Sequence, residues 1–206
     1  GPIMKTHRRF FEELAARWDA MQSPERHLRL QQILEQLVPG WMQAETILDI
    51  GTGTGALLPL LQNQLPAANI VAIDLAQAML QRAKTRHSHT QLAQADAHHL
   101  PFATGQFQIV ICHAVFPHFT DKPAALSQIH RILQAGGQII IFHDISRKQV
   151  NAIHRSVGGA IQADQLPPAE QLRCWLSQSG FDTLHLEDTA DYYLATGVAA
   201  KVQAHG

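Results

Sequence analysis

The stretch Ile47-Leu48-Asp49-Ile50-Gly51-Thr52-Gly53-Thr54-Gly55 is a short apolar strand that runs straight into three glycines spaced two apart. Such a turn lets the backbone pass close to a ligand where a Cβ would clash, and a helix starting at Ala56 would aim its N–H groups at that ligand. A nucleotide-like cofactor is the expected ligand. A dinucleotide fingerprint wants G-x-G-x-x-G, whereas here the third glycine comes one residue early and Asp49 stands two residues before the first. An acid at that place suits a cation better than a phosphate.

Around this loop the chain alternates strand and helix. Strands are expected at 46–50, 69–73, 91–94, 107–112 and 138–143, with helices at 56–64, 77–87 and 123–133 and a turn at Ala135-Gly136-Gly137. That order makes a parallel sheet with helices on both faces. Two helices precede it: apolar residues recur at helical spacing (Phe10, Leu14, Trp18, then Leu30, Ile33, Leu34, Leu37), Ser23-Pro24-Glu25 starts the second and Pro39-Gly40 ends it. The tail reads as helices at 147–158 and 168–179, a Gly180 stop, and strands at 182–187 and 192–198 paired antiparallel at one edge.

The 206 residues fit one domain, and the formal net charge of −1 offers no electrostatic footprint for nucleic acid or an anionic membrane. Arg82, Lys84 and Arg86 read as a solvated helix face. Two cysteines, Cys112 and Cys174, are too few for a disulfide framework and fit a reducing cytoplasm. No apolar run is long enough to span a bilayer and no signal peptide is evident. Gly1-Pro2-Ile3 reads as a tag remnant, with Met4 as the native start.

Ligands of open α/β sheets bind at the carboxyl ends of the strands, and Asp49, Asp74 and Asp96 lie at the ends of three successive strands. Asp74 stands where an acid can accept from both ribose hydroxyls; Asp96 can accept from an adenine amino group while the Ala97 N–H faces a ring nitrogen. Leu75 and Met79 could pack on the adenine. The D-x-G-x-G-x-G turn, the acids behind it, and the later segments Phe107–Phe119, Ala125-Leu126, His130-Arg131-Ile132-Leu133 and Gly136-Gly137 resemble the class I S-adenosylmethionine-dependent methyltransferases. Within these they are similar to the small-molecule "type 11" group that includes the ubiquinone and menaquinone methyltransferases.

The resemblance covers about residues 44–143. It implies a Rossmann-like, doubly wound α/β fold with an antiparallel C-terminal edge strand and N-terminal lid helices. It divides a single domain of residues 4–206 into a lid (4–40), a cofactor core (44–143) and an acceptor side (144–206). It also implies S-adenosylmethionine held by Asp49, Gly51, Thr52, Gly53, Gly55, Asp74, Leu75, Met79, Asp96, Ala97, His98 and His113. The lid would include Phe11 to Asp19, with ordinary core packing as the competing account of Phe11 and Trp18.

Methyl transfer from a sulfonium needs alignment and exclusion of water, and a base only when the nucleophile arrives protonated. Histidine suits that task near neutral pH, and the chain has thirteen. His113 and His118 follow the fourth strand, His143 with Asp144 ends the fifth, and His154 lies in the next helix. Three readings stand open. His118 or His143 is a general base oriented by Asp144 or another acid; or His113, His118, His143 and His154 supply ligands to a divalent metal; or these imidazoles hydrogen-bond the pocket wall. His87, His89, His98 and His99 fall in polar turns facing solvent, with His98 and His99 alternatively flanking the adenine.

Cys112 reads as an inert buried thiol, and the segment Leu166-Pro167-Pro168 with Glu170 as an edge of the acceptor pocket. Tyr192 and Tyr193 point to opposite faces, so at most one faces the core. The expected activity is methyl transfer to an oxygen, nitrogen or sulfur of a small molecule. The alternatives are a methyltransferase for a metal-held or metalloid acceptor, or a non-catalytic cofactor sensor. Carbon methylation of a quinone and arsenic methylation are disfavoured, and the glycine spacing argues against a nicotinamide enzyme.

Overall fold

The computed structural model describes residues 2–18, 23–87 and 90–200; Asp19, His89 and the side chain of Trp18 lie outside them. Seven strands form one sheet: β1 (Thr46–Ile50), β2 (Asn69–Asp74), β3 (Gln91–Gln94), β4 (Phe107–His113), β5 (Leu133–His143), β6 (Phe181–Asp188) and β7 (Tyr193–Ala199). Their order is β3-β2-β1-β4-β5-β7-β6. The first five are parallel, and β7 is antiparallel to both neighbours. The last two strands therefore form the antiparallel pair expected at one edge, with β6 outermost and the C-terminal strand β7 beside β5.

Strand periodicity sorts the side chains onto two covered faces. Leu48, Ile50, Val110, Cys112, Ile139 and Ile141 pack on one side with α5 (Lys122–Ile132), α6 (Arg147–Val157) and α7 (Ala169–Gln178). Ile47, Ile109, Ile111, Ile140 and Phe142 pack on the other with α2 (Pro24–Leu37) and α3 (Leu58–Gln64). The helix starts follow from capping residues. The Ser23 side chain accepts from the Arg26 N–H at the head of α2, Asp121 accepts from Ala124 N–H at α5, and Ser146 with Gln149 forms a capping box at α6.

Helix α4 (Gln77–Arg86) has no cap of its own. Glu12 of α1 (Pro2–Trp18) accepts from the N–H groups of Gln77 and Ala78 instead, and Ala15 and Phe11 pack with Ala76 and Met79 below it. The carboxylate thus fills the orphan donors of a neighbouring helix and fastens α1 across the carboxyl edge of the sheet.

Two boundaries differ from the sequence reading by more than one residue. The helix expected from Ala56 begins at Leu58, because Gly55 and Leu58 donate to Thr52 and Gly55 carbonyls and keep the intervening residues in turns. The Ala135-Gly136-Gly137 turn lies inside β5: pairing with β4 begins at Leu133, slips between Phe107 and Ile109, and resumes at Gln138, with Gly136 at φ +81°.

Candidate active site

A cavity of about 930 Å³, part of it open to solvent, lies at the carboxyl ends of the parallel strands. Gly51, Thr52 and Gly53 from the loop after β1, Asp74 and Leu75 from the end of β2, Met79 of α4, Asp96 and Ala97 after β3, and His113 at the end of β4 all line it. These nine are cofactor residues expected from the sequence. Gly51 is indispensable to the shape: its φ is +72°, and a Cβ there would lie 2.4 Å from Val115 Cγ2.

Three expected contacts fall behind the wall. Gly55 packs against His87 and Leu58, where an added Cβ would meet the His87 ring at 2.6 Å, so its part is close packing of the loop, and His87 is half-buried with one edge of its ring against the turn. His98 backs up Asp96: its Nε2 accepts from the Asp121 N–H at 3.1 Å, so Nδ1 carries the proton and donates to Asp96 Oδ1 at 2.6 Å. It orients that carboxylate rather than flanking a base, and His99 is exposed. Asp49 lies beneath the loop, 2% exposed.

The acids are tuned by that burial. Desolvation pushes Asp49 up to about 7, the neighbouring Thr52 hydroxyl opposes it, and the nearby Asp74 adds to it. Asp74 accepts from the N–H groups of Gly53 (2.8 Å) and Ala76 (2.9 Å), which offset part of its burial and leave it at about 6. Two buried carboxylates beside one cavity favour a cationic ligand, which lets both ionise. The sulfonium and ammonium groups of S-adenosylmethionine fit that demand, and the glycine turn supplies the close backbone approach.

The opposite wall is made by His7 and Phe11 of α1, Arg26 of α2, and Ala114, Val115, His118 and Phe119 after β4. Ala114 takes a φ of +53°, rare for a residue with a Cβ, while its N–H donates to the Phe142 carbonyl. Lys122 Nζ donates to the Pro117 and Phe119 carbonyls at 3.1 and 3.0 Å and so holds the short turn Phe116–His118. Phe11 meets His118 edge-on with ring centres 5.1 Å apart, which makes Phe11 a wall residue of the site.

Two carboxylates organise the histidines here. Asp164 Oδ2 accepts from His118 Nδ1 at 2.7 Å and from His7 Nε2 at 2.8 Å. Asp144 meets His113 Nε2 at 3.2 Å together with Arg26 and Arg29 at 3.4 and 3.0 Å, so it orients His113 and not His143 or His118. Burial pushes both acids up, but these partners outweigh it and hold each below the usual carboxylate range. Burial also lowers His113, His118 and, furthest, His143, against the pull of the acids, so all three are uncharged near neutral pH.

Of the four histidines expected as metal ligands, only His118 shares a compact donor set among the described residues, and its companions are His7 and Asp164. His113 is engaged by Asp144. The Nδ1–H of His154 donates to the Asp164 main-chain oxygen at 2.7 Å. His143 does not line the cavity, and its Nε2 is buried without a hydrogen-bond partner. The 166–168 segment does not line it either; it anchors Asp164 from behind. Cys112 is fully buried, with its thiol pushed up by desolvation, as expected of an inert group. Tyr193 is the buried member of its pair, its hydroxyl donating to the Pro167 carbonyl at 2.9 Å.

His7, Arg26 and Asp164 were not legible as site residues. No short motif contains them, and only the lid that the family resemblance implies hinted at the helix that carries His7.

Residues 48–141 match a family described as a methyltransferase domain. Over 199 residues the chain is 29% identical to a malonyl-(acyl-carrier protein) O-methyltransferase of Geobacter sulfurreducens, covering 90% of this chain and 74% of that protein. It is 36% identical over 99 residues to a demethylmenaquinone methyltransferase of Thermus thermophilus, 46% of this chain and 45% of that one. Across 202 residues it is 25% identical to a ubiquinone/menaquinone biosynthesis C-methyltransferase of Desulfotalea psychrophila, covering 92% of this chain and 80% of the relative. The fold matches a solved S-adenosylmethionine-dependent methyltransferase of Aquifex aeolicus with a TM-score of 0.71 at 15% identity, covering 90% of this chain and 98% of that one. The cavity, its buried acids and these likenesses agree, and the chain is similar to the class I S-adenosylmethionine-dependent methyltransferases in sequence and in fold.

Proposed function

We propose that the enzyme methylates an oxygen, nitrogen or sulfur atom of a small molecule that enters beside His118. The observation that carries this reading is the imidazole of His118 on the cavity wall, held by Asp164 through Nδ1. That bond leaves Nε2 as the nitrogen with a lone pair, a proton acceptor for a hydroxyl, thiol or ammonium nucleophile. Carbon methylation of a hydroquinone ring also needs a proton acceptor, for the ring hydrogen that the methyl group displaces, so the label panel below separates the two.

In this reading Asp74 and Asp96 hold the cofactor against the glycine turn, which Asp49 supports from beneath, with Leu75 and Met79 along the adenine. The bound cofactor supplies an electrophilic methyl group on positively charged sulfur, which departs as a thioether. The chain aligns the acceptor in line with that group and excludes water, with α1 as cover and Phe11 and Phe119 as apolar walls. His143, behind the wall, has a packing part only.

Relatives include both O- and C-methyltransferases, so the acceptor atom calls for a direct test. With methyl-labelled S-adenosylmethionine and a panel of a phenol, a carboxylic acid, a thiol, an amine and a demethylated quinone, label is expected on a heteroatom and absent from the quinone ring. Ring labelling alone overturns the reading. Tight cofactor binding with no label on any of the five points to a non-catalytic sensor.

A further inference from the structure

We infer that His7, His118 and Asp164 form a divalent-metal site on the acceptor side of the cavity. Each offers one ligand atom, and the three atoms lie within 4.8 Å of one another. They come from α1, from the turn after β4, and from the loop before α7, at sequence separations of 157 and 46 residues. Two imidazole nitrogens and one carboxylate oxygen are a donor set for zinc, iron(II), cobalt or nickel, while the lack of a thiolate disfavours soft ions. Three protein ligands leave a position for a further group, and two of the three line the cofactor cavity.

The supports behind each ligand mark a built site. Asp164 is placed by the His154 bond to its main-chain oxygen, by Asn151 pairing with both the N–H and C=O of Leu166 at 2.7 and 3.2 Å, and by the Tyr193 hydroxyl on Pro167. Lys122 fixes the turn that carries His118. Glu12 fastens the helix that carries His7. Ligands braced this way by outer partners are what a rigid metal centre requires.

The inference rests on the reading that the acceptor meets this corner, and it changes how the acceptor's proton is lost. With an ion present, His7 and His118 carry their protons on the nitrogens that do not face it. An acceptor heteroatom bound at the open position would have its pKa lowered by the ion and would lose its proton to solvent water, and His118 would then serve as ligand and not as base.

The test is calorimetric titration of the metal-stripped full chain, saturated with S-adenosylhomocysteine, with zinc, iron(II), cobalt and nickel salts. One ion per chain is expected for the wild type and for His185→Ala, a substitution at an exposed position on β6. Affinity is expected to fall more than about a hundredfold in His7→Ala and Asp164→Asn, since outer-shell losses alone cost about 10- to 100-fold. No stoichiometric binding by the wild type, or binding that survives both substitutions, overturns the inference. Should a variant misfold, cobalt(II) added to the wild type decides: intense visible bands of a low-coordinate nitrogen–oxygen site support it, and the weak spectrum of the hydrated ion overturns it. Neither readout involves methyl transfer, so a failure here leaves the acceptor reading to its own assay.

Discussion

The two ends of the cavity are built in opposite ways. The cofactor end is local: the glycine turn and three acids each follow directly from a strand end, and Asp74 stitches the turn to β2 across only 21 residues. The acceptor end is assembled from distant parts of the chain, with His7 and Asp164 meeting across 157 residues. One end is a property of adjacent strands, the other of how α1 and the loop before α7 are held down. Substitutions at one end should therefore leave the other working.

The largest separation is expected at His118. Replacing it with Gln, which keeps polarity and removes the imidazole, whether it serves as base or as metal ligand, should lower the rate of methyl transfer by about 10²- to 10⁴-fold. S-adenosylhomocysteine affinity should change less than about threefold. A matched loss of both, by single-turnover kinetics and calorimetry, would merge the two ends into one.

The converse substitution is Gly51→Ala. With φ at +72° and Val115 in the way, the turn has to shift, and cofactor affinity should fall by more than about a hundredfold. Thermal unfolding without ligand should move little by comparison. An alanine variant that binds normally would show that the turn does not read the cofactor.

A smaller effect is expected from pH. Asp49 and Asp74 sit at about 7 and about 6 in the unliganded protein, and a cationic ligand needs both ionised. Binding therefore expels protons below those values. Affinity should rise from pH 5 to pH 7 by up to about tenfold per unit for each proton released, then level off. For folding alone the sign is opposite: pKa values raised above the ordinary 3.8 mean the native state binds more protons, so these two acids lower stability as pH rises from about 4 to about 7. Asp49→Asn should flatten the upper part of the binding profile. An unchanged profile in that variant would remove Asp49 from the cofactor end.

Smallest is Glu12→Gln, which weakens the cap that α1 supplies to α4. It should cost about 1 kcal/mol, or roughly 2–4 °C in Tm for a chain of this size. Acceptor KM should rise more than cofactor Kd, because α1 carries His7 and Phe11 to the acceptor end.

Much of the fold was readable because strand and helix periods differ and punctuating residues mark the joints. Ser23, Asp121 and Ser146 each cap a helix whose start the sequence anticipates within a residue or two. The errors at the cofactor end are errors of depth. Spacing puts Gly55 and His98 at the rim, but it cannot tell a side chain in the wall from one a layer behind, and both lie behind. The turn inside β5 escaped because two glycines read as punctuation, whereas here they accommodate a slip in register between strands that stay together.

By itself, the sequence determined the sheet, its two apolar faces and the glycine-and-acid rim that suits a cationic nucleotide cofactor, because each depends on residues close together in the chain or on a period of two. Tertiary structure alone decided which histidines share a carboxylate. His118 had the choice of His113, His143, His154 or none of them as companions; it meets His7 and Asp164 because Glu12 docks α1 on α4 and because Asn151, His154 and Tyr193 anchor the segment around Asp164. Those contacts join residues far apart in the chain, and their partners are set by packing rather than by spacing.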